Sequence, residues 1–302
     1  MVGWLGFQLI STFLICTKQV AAEYSKCGLP LRLQFFTMKY RPLILATNDD
    51  GINAPGLKAL VEVARELGDV IVVAPDSPQS GQGHAITLKD PLRLKKVNIF
   101  DDIEAYECSG TPVDCVKLGK HIVLHQREAD LCISGINHGS NASINIIYSG
   151  TMSAAMEASL EGIKSIGFSL LDYSWDADFE QCKPFIKEIM AFVLANGMNN
   201  CKLLNVNIPN LTTEEIQGIR ICRQAEARWI ERYVEATDPR GQKYYWLTGD
   251  FLNEDEGEDT DVWALENNYI SVVPSGHDLT KYEAIPGLKA LEKEREAMIA
   301  NY

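Results

Sequence analysis

An apolar run, Leu43-Ile44-Leu45-Ala46-Thr47, stops at Asn48-Asp49-Asp50-Gly51; a stretch with helical spacing and then a second apolar run follow it. Nothing else in the 302 residues limits the fold as much. The first run reads as a buried strand. From Ala54 to Gly68 apolar residues recur at helical spacing and the stretch closes on a glycine. Asp69 to Pro75 reads as a second buried strand. Parallel neighbours need a crossover connection, so strand, helix and strand in this order make the βαβ unit of a parallel sheet. In open sheets of that kind ligands bind beyond the carboxyl ends of the strands, where Asp49 and Asp50 fall. Adjacent carboxylates repel, and a hard divalent cation with oxygen ligands is the least costly way to keep both ionised. The same Asn-Asp-Asp-Gly is also good turn chemistry at the end of any strand.

The rest of the chain continues the alternation. A loop rich in turn formers, Asp76 to Ala85, leads into Ile86-Thr87-Leu88, read as a strand, and Ala105 to Cys108 reads as another, with a helical pattern from Val113 to Lys120. Leu131 to Ser134 is a strand running into Gly135-Ile136-Asn137-His138-Gly139-Ser140-Asn141. Ser149 or Thr151 is a natural cap for a helix of small residues, Ser165 to Leu170 is a core strand, Phe179 to Leu194 a helix and Lys202 to Ile208 a strand. Beyond Pro209 the chain turns β-rich and acidic, and Asn253 to Asp261 reads as a solvated loop. We expect a doubly wound, Rossmann-like α/β core over residues 38–210, a smaller β-rich region over 211–302, and an N-terminal extension over 1–37.

That extension contains an uncharged run from Val2 to Cys16 and a cleavage-like Val20-Ala21-Ala22, but no Lys or Arg precedes it, and the run is short for a membrane span. Met38 stands directly before the first strand, so an upstream extension or misassigned start, and a cytoplasmic protein, is the expectation; export or lipid anchoring is the alternative. Eight cysteines show no CxxC pair and no zinc-site spacing, as in a reducing compartment. A net charge of −13 excludes a nucleic-acid groove or an anionic membrane surface, so a phosphate-bearing substrate needs compensation from a metal or from backbone N–H groups.

Three strand ends offer oxygen ligands: Asp49 with Asp50, Ser80 in its glycine-bounded loop, and Asn137. Carboxylate, hydroxyl and amide oxygens suit Mg²⁺ or Mn²⁺ and no softer ion. Ser149-Gly150-Thr151 at a helix start supplies N–H groups and hydroxyls for an anion, and a cation beside an anion cradle points to phosphate chemistry. Taken singly, Ser80 is a turn serine, Asn137 a turn asparagine, and Ser149 and Thr151 are caps. Gly81 and Gly83 make only half a dinucleotide fingerprint, and GxxxxGK[ST] is absent. His84 and His138 fall in site loops; His121 and His125 read as surface residues.

In order along the chain stand ATNDDGINAPG, APDSPQSGQGHAITL, SGTPVDCVKLG, SGIN, YSGT, LLNVNIPN, DPRGQKYYWL and TDVWALENNYISVVP. With these segments the chain, from about Arg41 to Leu279, resembles the SurE survival-protein family of metal-dependent 5′-nucleotidases. The resemblance implies one Mg²⁺ or Mn²⁺ per subunit on Asp49, Asp50, Ser80 and Asn137, with Asn141, Ser149, Gly150 and Thr151 toward the phosphate. It implies hydrolysis of nucleoside 5′-monophosphates, with 3′-monophosphates and short polyphosphate as further candidates, and a homodimer or homotetramer that exchanges its C-terminal region. Asp49 then serves as nucleophile or as base toward water. Where members usually carry a Gly-Asp-Asp-like stretch before the YSGT tyrosine, this chain has Ser143-Ile144-Asn145. A phosphatase with an aspartyl nucleophile expects two Asp separated by one residue, and here they are adjacent. A non-catalytic nucleotide or metal sensor on the same fold is the alternative function.

Overall fold

The first apolar run forms β1 (Leu43–Thr47), and α1 (Pro55–Leu67) returns the chain to β2 (Asp69–Pro75), which lies parallel to β1 with Ile44 beside Val70. The structure, a computed structural model, describes residues 40–174, 176–292 and 295. The 1–37 extension expected from the sequence lies outside the described residues. On the β2 side the sheet continues through β4 (Glu104–Cys108) to β3 (Leu94–Val97), an antiparallel edge strand. After α2 (Pro112–Leu118) the chain crosses to the other flank of β1, where β5 (Leu131–His138) pairs in parallel, Ala46 beside Ile133. From there α3 (Gly150–Leu160) leads to β6 (Ser165–Leu170) and α4 (Lys183–Asn196) to β7 (Leu203–Ile208).

With β8 (Gly218–Ile221) and β11 (Tyr269–Ser275), the strand order is β3-β4-β2-β1-β5-β6-β7-β11-β8, and β11 runs antiparallel to β7. The winding reverses between β1 and β5. The doubly wound, mostly parallel α/β fold expected from the sequence is therefore the one observed. The cleft opened by the reversal lies at the carboxyl ends of these two strands.

Alternation along the strands serves two cores. Ile44 and Ala46 pack with residues of α1 and α4 such as Leu60 and Met190, while Leu45 joins Val116 and Ala158 of α2 and α3 on the opposite face. Helices cover both faces, which is why the strands read as unbroken apolar runs. Gly56 lets the start of α1 reach the sheet: a Cβ there would lie 2.1 Å from the Ile136 carbonyl oxygen.

Some boundaries moved. Helix α4 begins at Lys183, not Phe179, because Pro184 suits the first turn; Phe179 and Cys182 are buried ahead of it. Ile86-Thr87-Leu88 is not a strand; Leu88 is exposed, and the Thr87 N–H donates to both Asp114 carboxylate oxygens at 3.2 Å. The 253–261 loop is not simply solvated: Arg223 binds Asp255 at 2.6 Å and Asp259 at 3.0 Å, and Asp261 opens the buried start of α5 (Asp261–Glu266). The boundary at 210 falls between β7 and β8 of one sheet, and Arg41–Tyr302 is one compact unit. The β9 (Ala227–Thr237) and β10 (Lys243–Asn253) strands form a separate two-stranded sheet. Among the described residues no helix is long and apolar enough to cross a membrane.

Candidate active site

Asp49 and Asp50 lie just beyond the end of β1, after Asn48, and Asn137 lies near the end of β5, so the reversal of the sheet brings the three together. One cleft of about 430 Å³ is lined by Asp49, Asp50, Ser80, Asn137, Asn141 and Ser149, six of the eight residues singled out from the sequence. Gly150 and Thr151 are buried and are not among the lining residues.

Those two stand behind Asp49. The Thr151 hydroxyl and backbone N–H both donate to the Asp49 carboxylate. A Cβ on Gly150 would lie 2.6 Å from the Asp49 Cβ, so the missing side chain makes room for Asp49 itself. Ser149 caps α3 by accepting from the Met152 N–H at 3.0 Å. The first anion held by this helix start is thus a carboxylate of the protein, and the glycine allows that carboxylate, not only a phosphate, to approach.

Burial first, and then the charge of Asp50, push the Asp49 carboxyl up to about 6. Burial also raises Asp50, against the lowering influence of His138. Asp50 Oδ2 is buried with no hydrogen-bond partner among the described residues. Two inward carboxylates with one orphan oxygen demand positive charge, and the other donors supply only neutral oxygen. Asn137 donates from Nδ2 to the His138 and Gly139 carbonyls at 3.0 and 2.9 Å, which leaves its Oδ1 as the acceptor, with only a 3.4 Å contact to Thr151. Among the described residues no group of three or more His, Cys, Asp and Glu is assembled for a metal. The oxygen set here has two carboxylates, an amide and a hydroxyl; it fits a hard cation and offers nothing to a soft one.

The Ser80 loop is anchored on both sides of its exposed tip. The Gln79 N–H donates to the Asp49 carbonyl at 2.8 Å, and His84 Nε2 lies 2.8 Å from Oε2 of Glu157, a buried residue of α3 whose other oxygen is bound by Lys117. Thr111 fixes the next residue through the Ala85 carbonyl at 2.7 Å. Sequence reasoning placed His84 near the site without a partner and passed over Glu157, because the pairing spans 73 residues.

Behind Asn141 lies a polar layer. Its N–H donates to Asn207 Oδ1, its carbonyl accepts from Asn205 Nδ2 and its amide donates to Ser169 Oγ, each at 2.8 Å. The signal was present in LLNVNIPN: asparagines at alternate positions put two amides on one face of an apolar strand. The atypical Ser143-Ile144-Asn145 ties the site to the C-terminal region. Ser143 donates from its N–H to Asp261 and from its hydroxyl to the Ala225 carbonyl, at 2.8 and 2.7 Å, and Asn145 Oδ1 accepts from Trp229 Nε1 at 2.8 Å. Trp229, Tyr148 and Tyr173 complete the wall of the cleft, and none of the three was named as a site residue from the sequence.

The fold and site define a doubly wound α/β protein with an acidic, oxygen-donor cleft at its topological switch point, next to a capped helix start. The family model for survival protein SurE matches residues 44–231, and the chain belongs to the SurE family. It is 60% identical to 5′-nucleotidase SurE of Christiangramia forsetii over 254 residues, 83% of this chain and 97% of that protein. Identity to 5′-nucleotidase SurE of Bacteroides fragilis is 44% over 253 residues, 83% of this chain and 98% of that protein. The crystal structure of SurE protein from Aquifex aeolicus superposes with a TM-score of 0.73 at 42% identity, covering 83% of this chain and all of that one.

Proposed function

We propose that the chain is a 5′-nucleotidase that hydrolyses nucleoside 5′-monophosphates to nucleoside and phosphate. Its relatives over the whole of the described core carry that name. The observation that carries the chemistry is the convergence of Asp49, Asp50, Ser80 and Asn137 on one cleft, with a buried carboxylate oxygen left without a partner.

These four residues would hold one Mg²⁺ or Mn²⁺, which when bound supplies positive charge against the phosphoryl oxygens. The chain's own residues do the rest. Thr151 fixes the Asp49 carboxylate from behind, so that it meets the substrate in one orientation, as nucleophile or as base toward water. Asn141, itself fixed by Asn205, Asn207 and Ser169, and Ser149 at the mouth of α3 would steady the phosphoryl group. The test is phosphate release from a panel of nucleoside 5′-monophosphates, nucleoside 3′-monophosphates and short polyphosphate, with and without divalent metal. Release from the 5′-monophosphates only with Mg²⁺ or Mn²⁺ supports the reading; release unaffected by chelator overturns the metal. The stereochemistry at phosphorus, followed with an isotopically chiral thiophosphate ester, separates the two roles of Asp49: net retention marks a nucleophile and net inversion a base toward water.

We further propose a homodimer or homotetramer, because β9 and β10 expose Tyr233, Val234, Tyr245, Trp246 and Leu247 on a two-stranded ribbon that is too thin to bury them. The cytoplasm is the proposed compartment, in keeping with Cys108, Cys115, Cys132 and Cys182 buried as free thiols.

A further inference from the structure

The cleft changes character from floor to rim. The carboxylates and Asn137 are joined at the rim by Tyr148, Tyr173 and Trp229, which remain 53%, 74% and 42% exposed. Three large aromatic side chains around a polar cleft are not explained by binding phosphate or metal.

Trp229 is the best fixed of them. Its indole N–H is bound by Asn145, and its ring meets Phe251 edge to face, with centroids 5.6 Å apart at 66°. The polar edge is thereby satisfied and the ring orientation set, while part of the side chain still borders the cleft. Tyr173 is seated too: its hydroxyl accepts from the Ser140 N–H at 3.2 Å, and its ring lies where a side chain on Gly139 would otherwise be, 2.2 Å from that Cβ position.

The chemistry of this rim selects among leaving groups. Among the described residues no Lys or Arg lines the cleft, so a second phosphate or a carboxylated leaving group meets only His138 and neutral donors there. The apolar part of the rim is aromatic and not aliphatic, and its polar neighbours are Ser140, Asn145 and Ser174. A flexible alkyl chain gains little from such a surface, whereas a planar heteroaromatic ring gains stacking on it.

We propose that Trp229, held by Asn145, is the stacking platform for the nucleobase of the leaving nucleoside, and that stacking area rather than base-edge hydrogen bonding sets the preference, purine above pyrimidine. This rests on the phosphomonoesterase reading of the same cleft. It also gives the atypical Ser143-Ile144-Asn145 stretch a purpose: Asn145 couples the phosphate end of the site to a residue of β9.

The test compares adenosine 5′-monophosphate with ribose 5-phosphate, which carries the same phosphate and sugar but no base. In the Trp229→Ala enzyme the ratio of kcat/KM for the nucleotide to that for the sugar phosphate should fall roughly tenfold or more, chiefly through KM, as loss of one stacked base predicts. Trp229→Phe should keep most of the ratio. Asn145→Ala, which frees the indole, should lower it by a smaller factor. Equal losses for both substrates, or an unchanged ratio, overturn the proposal, because Trp229 would then only hold the ribbon in place. Adenosine binding is the independent arm: it should quench tryptophan fluorescence in the native protein, and the quench should be largely lost in Trp229→Phe. If neither phosphate ester is cleaved, the nucleotidase reading fails on its own, and the adenosine quench still decides the subsite: its presence sustains the platform and its absence overturns it.

Discussion

Asp49 is a buried carboxylate held at a cost to folding. Its carboxyl stands at about 6 against an ordinary 3.8, so the folded state holds the proton more tightly than the unfolded chain does. Below about pH 3 both states are protonated and nothing is lost; as pH rises from about 3 to 6 the unfolded chain ionises first, and above 6 the full cost remains, on the order of 3 kcal/mol. Asp49→Asn removes that charge at constant size. The metal-free variant should melt several degrees above the metal-free wild type at pH 7.5 and much closer to it at pH 4, by calorimetry, while losing phosphatase activity. Mn²⁺ should raise the melting temperature of wild type only. A variant that melts lower at pH 7.5 would show that the Thr151 hydrogen bonds outweigh the burial of the charge, and one that retains turnover at saturating metal would exclude Asp49 as metal ligand and catalytic carboxylate. Thr151→Val tests the same residue from behind: it deletes the hydroxyl donor to Asp49 with little change of volume. We expect kcat to drop at least tenfold with KM for nucleotide nearly unchanged, since Thr151 does not line the cleft. A rise in KM alone would instead return Thr151 to phosphate binding.

Among the elements, the Ser80 loop is held by contacts with α3 and β1 and not by its own sequence. Gly81 and Gly83 have φ of +73° and +56°, so the tip is a local turn, but its position depends on the His84–Glu157 pair and on Gln79 bonded to Asp49. Glu157 is buried, whereas its partners keep a third or more of their side-chain surface in water, at 33% for His84 and 41% for Lys117. Removing His84 therefore leaves Glu157 still paired, and a stability loss of about 1 kcal/mol is the scale to expect. Its larger effect should be on the loop: His84→Ala should weaken Mn²⁺ binding several-fold by titration calorimetry, with Thr87 and Asp114 still anchoring the far end. An unchanged Kd would show that the tip needs no latch. The legibility of the strands in the sequence follows the same division. Strands β1, β2 and β6 are buried on both faces and announce themselves as apolar runs, whereas β3, with Lys95 and Lys96 exposed, owes its existence to pairing with β4. The latter type of strand carries no local signal.

In the molecule as a whole, the ribbon β9–β10 is where the proposed assembly would form. Its outward Trp246 and Leu247 are 65% and 61% exposed, side by side on one strand and therefore on opposite faces, so both faces of the ribbon present apolar surface. Burial of such residues is worth about 1.5–3 kcal/mol each, enough for several to hold an assembly together. Trp246→Glu with Leu247→Lys should shift the protein to smaller species in light scattering while circular dichroism and the melting of the sheet core stay close to wild type. Monomers in the wild type at micromolar concentration would leave the ribbon for another partner. Because Trp229 lies on the same ribbon, the dissociated variant should also show a lower preference for nucleotide over ribose 5-phosphate, linking assembly to specificity.

The βαβ start, the doubly wound class and the residues at strand ends were all legible in the sequence, because they depend on hydrophobic period and on turn chemistry within a few residues. Asp49 with Asp50, Ser80 and Asn137 could be read as separate oxygen donors, and the motif order was enough to imply the family. How those residues work together came from packing alone. Glu157 serving His84 across 73 residues, Asp261 serving Ser143 across 118 and Trp229 serving Asn145 across 84 are pairings between distant parts of the chain. The same holds for Thr151, which sits 102 residues from the carboxylate it orients. No local pattern records them, because a side chain's partner is chosen by the sheet order that brings strand ends together, and that order emerges only when the whole core is packed.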